Sequence, residues 1–180
     1  MTIVVADTSA LVSLGTIVGH AYSPLDHLLD THDVIIPEQV VDELRETASY
    51  TDVSGESAQA VLNRLFQFGV QTTDLDEDFP LDDGENAAVS LANNLNATQL
   101  LCDEFNRLAL IHASLVDVRL MTTPILLTTF IQNDMFSSED TEDFLTEMSD
   151  ARSWKNNTYV AQAKVTLQQV CTTRSDVDSE

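Results

Sequence analysis

The sequence predicts an α/β protein, a three-layer α/β/α domain built on a central parallel sheet of about five strands. Three observations predict it. Short aliphatic runs at residues 3–5, 34–36, 70–75, 98–102 and 116–121 alternate with longer stretches of helical periodicity, the rhythm of right-handed βαβ units. The runs Ile3-Val4-Val5 and Val34-Ile35-Ile36 are continuously apolar, as strands covered on both faces are. Acids or helix-starting residues follow several runs at once, which marks strand-to-helix hand-offs.

The opening stretch, VVADTSALVSL, passes from a strand through Asp7-Thr8-Ser9 into a helix expected over 10–18 and ending near Gly19. A second helix is expected over 24–29, with Leu25, Leu28 and Leu29 on one face. The strand at 34–36 ends at Pro37, a good first-turn residue for the helix 38–47. Val40, Val41 and Leu44 form that helix's apolar stripe; at 100° per residue Glu43 lies on its flank, while Asp42 and Glu46 point away. A polar loop at 52–55 precedes a helix over 58–68, and 70–75 reads as the third strand. In LDDGENAAVSLANNL, Asp82 and Glu85 make an acidic capping box. The fourth strand, 98–102, runs straight into Asp103-Glu104, and a helix bearing Leu108, Ile111 and His112 follows. After the fifth strand, Thr122-Thr123-Pro124 opens a helix through Phe130, Ser137 or Ser138 caps another, and a last helix spans 157–170. Residues 1–171 are expected to form one domain, with 172–180 a polar, frayed tail.

Composition bounds the setting. Thirty acids against eight bases give a formal net charge of −22 over 180 residues, and Lys155 and Lys164 are the only lysines. Such charge strains a fold at low salt, whereas at molar salt the Debye length falls to about 3 Å and most of the repulsion vanishes. The acidity is therefore read as a halophilic adaptation to a salty cytoplasm, and its spread along the chain speaks against a nucleic-acid mimic. Cys102 and Cys171 suit a reducing compartment, with Cys102 expected as a small buried hydrophobe. His20, His27, His32 and His112 show no zinc-ligand spacing. With no apolar run near the ~20 residues of a membrane span, a cytoplasmic protein with no membrane partner is expected.

The acids recur in a telling order. Asp7 and Asp103 each follow a strand, and so belong at the carboxyl edge of the sheet, where open α/β sheets place their sites. Glu85 lies in a helix's first turn, whose dipole tolerates an anion, and Glu43 sits one turn into a helix entered from a strand's carboxyl end. Singly each has an ordinary role: Asp7 and Asp103 as helix caps, Glu85 in its capping box, Glu43 as solvated surface. Together, with no lysine nearby, they form a cluster that is costly unless protonated or holding hard divalent cations such as Mg²⁺ or Mn²⁺.

The joint pattern resembles the PIN-domain nucleases, through VVADTSALVSL with Asp7, VIIPEQVVDEL with Glu43, LDDGENAAVSLA with Glu85 and LLCDEFNRLAL with Asp103. Gly84-Glu85 and Arg107 are similar to the prokaryotic, VapC-like branch. The resemblance runs from about residue 2 to about residue 170 and implies a strand order of 3-2-1-4-5. It further implies endonucleolytic cleavage of single-stranded RNA, dependent on Mg²⁺ or Mn²⁺, with Asp7, Glu43, Glu85 and Asp103 as catalytic and metal-holding tetrad. Ser9 would be the accompanying hydroxyl or simply a cap, and Arg107 a phosphate contact or an ion-pair partner of a nearby acid. A homodimer and a small antitoxin protein are the partners such relatives imply.

Three positions depart from the branch. Ala87 stands where a second Glu is common, Thr122-Thr123-Pro124 replaces a Gly-Thr pair, and Phe105 holds a place some relatives give to an acid, with Glu104 beside it. Other carboxylate enzymes fit less well. Receiver domains need an acidic pair at the first strand and a Lys after the fifth, and dehalogenase relatives need an Asp where Ser9 stands. A catalytically idle PIN-like scaffold that binds a partner is the remaining alternative.

Overall fold

The computed structural model describes residues 2–177, with side chains through Val170. Five strands form one parallel sheet in the order β3-β2-β1-β4-β5: β1 (Thr2–Ala6), β2 (His32–Pro37), β3 (Gly69–Gln71), β4 (Gln99–Leu101) and β5 (Arg119–Met121). This is the expected sheet, and helices flank it in the three-layer α/β/α manner. The contacts gather the chain into two compact units, divided between Thr122 and Thr123.

In the first unit β1 occupies the middle of the sheet, and its pleat sets the two faces. Register pairs Val5 with Ile35 and with Leu100, and Leu100 with Leu120, so these side chains share a face. They join Ala88, Val89, Leu91 and Ala92 of α5 (Asp83–Asn94) and Ile111 of α6 (Leu108–Ser114) in one cluster. The alternate residues Val4, Ala6, Val34, Ile36, Leu101 and Met121 are equally buried. Right-handed crossovers cover that opposite face with α1 (Thr8–Gly15), α2 (Pro24–Thr31), α3 (Glu38–Thr47) and α4 (Val53–Leu62). Gly15 lets α1 meet α4 closely, since a Cβ there would lie 2.9 Å from the Ser57 carbonyl carbon.

The strand ends hold the site, and they continue the ladder one step past the strands. Asp7 N–H donates to the Leu101 carbonyl at 2.9 Å, and Cys102 N–H to that of Met121 at 2.9 Å. Asp7, Cys102 and Thr122 therefore stand in one row at the carboxyl edge.

Several boundaries differ from the sequence expectation. Helix α4 starts five residues before 58, at Val53, because Asp52 accepts from Gly55 N–H at 2.9 Å and turns the polar loop into a helix's first turn. Its expected end is instead a separate 3-10 turn, Leu65–Gln67. Strands β3, β4 and β5 are three residues each, shorter than the aliphatic runs that announced them.

The second unit contains α7 (Thr123–Gln132), α8 (Ser138–Ala151) and α9 (Thr158–Val177), packed pairwise on one another. Ser137 caps α8, its hydroxyl accepting from Asp140 N–H at 3.0 Å. Phe136 bridges Phe130 and Phe144, with ring centroids 5.9 and 5.4 Å apart. Of the tail expected over 172–180, the backbone to Val177 continues α9, and 178–180 lie outside the described residues, as does the Cys171 side chain.

Candidate active site

Asp7 ends β1 and caps α1, so both roles weighed for it draw on one geometry. Its Oδ2 accepts from Ser9 N–H at 3.1 Å and from the Ser9 hydroxyl at 2.6 Å. The same Ser9 Oγ accepts from Asp103 N–H at 2.9 Å. One hydroxyl thus ties the end of β1 to the end of β4, and both acids are buried, 5% exposed each. Cys102 lies in the same row with its thiol 3.6 Å from Asp7 Oδ2 and 3.7 Å from Ser9 Oγ. Burial, with Asp7 close by, pushes that thiol far above its usual range, so it stays protonated.

Glu43 reaches the site from the flank of α3. Val40, Val41 and Leu44 are buried and Asp42 and Glu46 exposed, which leaves Glu43 half-buried at the rim. The Thr8 hydroxyl donates to its Oε2. Its carboxylate lies on the first turn of α5, where a Cβ added at Gly84 would come within 2.6 Å of Glu43 Cδ. Burial pushes the Glu43 carboxyl above the usual carboxylate range; the Thr8 hydrogen bond opposes the rise, and the charges of Asp7, Asp82 and Glu85 add to it.

Glu85 closes the group from the N-terminal turn of α5. Asp82 caps that helix, accepting from Glu85 N–H at 3.0 Å, and Glu85 Oε2 reaches back to Asp82 N–H at 3.4 Å, completing the capping box. Arg107 Nη1 donates to the same Oε2 at 2.8 Å and lies 3.4 Å from Asp82 Oδ2. Of the two roles open to Arg107 in the sequence, the ion pair is the one seen here. Glu104 belongs to this neighbourhood as well: burial and the charges of Glu85 and Asp7 raise its carboxyl, against the pull of Arg107.

The structure brings Asp7, Glu43, Glu85, Asp103, Ser9 and Arg107 to one sheet edge. Sequence reading passed over Thr8, which holds Glu43 of α3; it was visible as the hydroxyl between Asp7 and Ser9. It also passed over Thr122, whose buried Oγ1 has no hydrogen-bond partner, and Gln39, one turn before Glu43, whose Oε1 is likewise buried and unpaired. No residue pattern announces an orphaned oxygen.

Carboxylates drawn from several elements stand at the carboxyl edge of a parallel 3-2-1-4-5 sheet, the place where open α/β domains hold their sites. A family model for the PIN domain matches residues 3–169, and the chain belongs to that family, whose members are generally nucleases that use divalent metals. Comparison with curated proteins gives no match.

The donors here fit such an ion chemically: all are hard oxygens, buried or half-buried, and Arg107 is hydrogen-bonded to one of them, Glu85. Their present orientation is another matter. Among the described residues no three His, Cys, Asp or Glu side chains stand grouped to hold an ion. The hydrogen bonds explain this, because Glu43 is turned to Thr8 and Glu85 to Arg107. Among the described residues no helix is long and apolar enough to cross a membrane.

Proposed function

We propose that this protein is a metal-dependent endoribonuclease that hydrolyses phosphodiester bonds of single-stranded RNA. The observation that carries the reading is the joint one: Glu43, half-buried against Gly84, feels the charges of Asp7, Asp82 and Glu85 at once, in a chain of PIN-domain type. Carboxylates that raise one another in this way are favoured by a hard divalent cation, and Mg²⁺ or Mn²⁺ suits their oxygens best.

Asp7, Glu43, Glu85 and Asp103 would hold the cation, which when bound polarises the scissile phosphate and lowers the pKa of a water. Ser9 fixes the Asp7 carboxylate through its hydroxyl and leaves the other oxygen, Oδ1, to a ligand. Thr8 does the same for Glu43 by engaging Oε2. The protonated Cys102 thiol beside Asp7 brings no competing charge. Arg107, with its side chain 46% exposed at the mouth of the site, is the cation an incoming phosphate meets. Attack by water requires no covalent nucleophile, and the resemblance to PIN-domain nucleases implies 5′-phosphate and 3′-hydroxyl ends. The working environment proposed is a high-salt cytoplasm, with the toxin of a toxin–antitoxin pair as one role and a homodimer as the assembly.

The deciding experiment is cleavage of single-stranded RNA in molar KCl, with and without Mn²⁺, by the wild type and by Asp7→Asn. Metal-dependent cleavage lost in the variant is expected; undiminished cleavage by the folded variant refutes the reading. The Arg107–Glu85 pair favours a second reading, an idle scaffold whose site is sealed by its own cation. Thermal melts separate the two, since an ion at a hundred times its Kd stabilises the native state by about 2.7 kcal/mol and an idle site gives no shift.

A further inference from the structure

Lys155 and Lys164 are the only lysines among 180 residues, in a sequence with 30 acids. Both line one hollow of about 630 Å³ at the corner where α8 turns into α9, wholly within the second unit. That volume falls inside the roughly 300–1,000 Å³ of ligand clefts. Among the described residues neither lysine takes part in an ion pair, although Asp150 lines the same hollow. The corner has a defined backbone. Helix α8 ends with Ser153 in the left-handed region at φ 58°, and Trp154 N–H donates back to the Ser149 carbonyl at 2.8 Å, the hydrogen bond of a Schellman turn. Trp154 is buried, and its carbonyl accepts from Asn157 N–H at 2.9 Å, which holds Lys155 and Asn156 in the turn between them. Asn157, Val160, Ala161 and Lys164 then follow at i, i+3, i+4 and i+7, one face of α9. Asn157 Oδ1 accepts from Tyr159 N–H at 2.9 Å and Val160 N–H at 3.3 Å, so its oxygen is engaged by the helix and its amide nitrogen remains a donor.

We propose that this hollow binds a phosphate monoester or free phosphate between Lys155 and Lys164. The site is separate from the acids of the sheet edge and does not depend on what they do. A phosphate monoester carries about −1.5 to −2 charges at neutral pH and presents three strong acceptor oxygens. Two ammonium groups match that charge, and the amides of Asn156 and Asn157 with the Thr158 hydroxyl supply further donors at the positive end of α9. A carboxylate would need only one of the lysines. A chain of net charge −22 repels anions at a distance, so the affinity has to come from direct contact inside the hollow. A small phosphate and the 5′-phosphate end of an RNA strand present the same group, and the test separates these sources.

Because the chain has two lysines, labelling lysine alone with ¹³C makes an NMR spectrum of the full protein report on this hollow and nothing else. Inorganic phosphate is titrated at constant ionic strength and slightly alkaline pH, with acetate as the control. Both lysine Cε signals are expected to move together on one saturable curve in phosphate and to stay in place in acetate. Lys155→Gln and Lys164→Gln, both at exposed positions, should each weaken the binding read at the remaining lysine about tenfold or more, the loss of one charge-assisted hydrogen bond. Shifts that never saturate, movement of one lysine alone, an equal response to acetate, or a variant that leaves the other lysine's curve unchanged would each overturn the proposal. Single-stranded RNA with a 5′-phosphate or a 5′-hydroxyl, added without divalent metal, assigns the source. Saturation by the phosphorylated strand at lower concentration than inorganic phosphate upholds the site as one for strand ends, and indifference to both strands upholds it for small phosphates. Equal response to the two strands overturns the choice of a monoester.

Discussion

Gly84→Ala tests the placement of Glu43 with no reference to activity. Gly84 is the second residue of α5 after the Asp82 cap, and its backbone is not in the left-handed region, so alanine suits the conformation. In a helix alanine is favoured over glycine by roughly 0.5–1 kcal/mol. Here the new Cβ would sit 2.6 Å from Glu43 Cδ, well inside contact, so the carboxylate must swing away from α5. That motion breaks the hydrogen bond from Thr8, a charge-assisted bond of a kind worth about 1.5–3 kcal/mol. The loss exceeds the gain, and Gly84→Ala should destabilise the protein by about 0.5–2.5 kcal/mol.

The sign reverses when Glu43 is absent. In a Glu43→Ala background nothing obstructs the methyl, and Gly84→Ala should stabilise by the helix term alone, about 0.5–1 kcal/mol. A double-mutant cycle then gives a coupling of about 1.5–3 kcal/mol between the two positions. Urea denaturation of the four proteins in molar KCl measures it, and melting temperatures should track it at roughly 2–4 °C per kcal/mol. Equal stabilisation by alanine in both backgrounds would refute the packing of Glu43 on α5, and with it the convergence of α3 and α5 on one site.

Other substitutions read neighbouring contacts. Ser9→Ala removes the hydroxyl shared by Asp7 Oδ2 and Asp103 N–H, leaving a buried donor unpaired, and should cost about 1–3 kcal/mol in a denaturant titration; a neutral effect would deny the bridge. Away from the site, burial opposes ionisation of Asp26, but hydrogen bonds from Arg64 and Ser23 prevail and hold its carboxyl below the ordinary 3.8. A depressed native pKa contributes stability that is full above the unfolded value and lost as pH falls through the folded one. Asp26→Asn should therefore cost about 1–2 kcal/mol at neutral pH, and progressively less below pH 3.8; a cost that persists in strong acid would mean packing, not charge, is what the variant removes.

The fold was legible because its signals are local. Continuous aliphatic runs such as Val34-Ile35-Ile36 state a buried strand, and the helix 38–47 was readable to the residue because Pro37 starts it and its apolar stripe is clean. What failed were boundaries set by single side chains. Asp52 begins α4 inside a stretch whose composition says loop, and hydrophobic periodicity continues past Leu62 although the helix does not.

The site was legible in its acids and silent about what compensates them. Asp7, Glu43, Glu85 and Asp103 declare themselves by position after strands and at helix starts, which is information along the chain. Their partners are not of that kind. Thr8 meets Glu43 across 35 residues, and Arg107 meets Glu85 across 22; each pairing follows from strand order and helix phase together. In a chain with 30 acids, charge at the sheet edge is cheap to encode and hard to neutralise, so the hydroxyls of Ser9 and Thr8 and the Arg107 guanidinium matter for how these carboxylates are held. Those groups each hold one carboxylate oxygen, Ser9 on Asp7, Thr8 on Glu43 and Arg107 on Glu85.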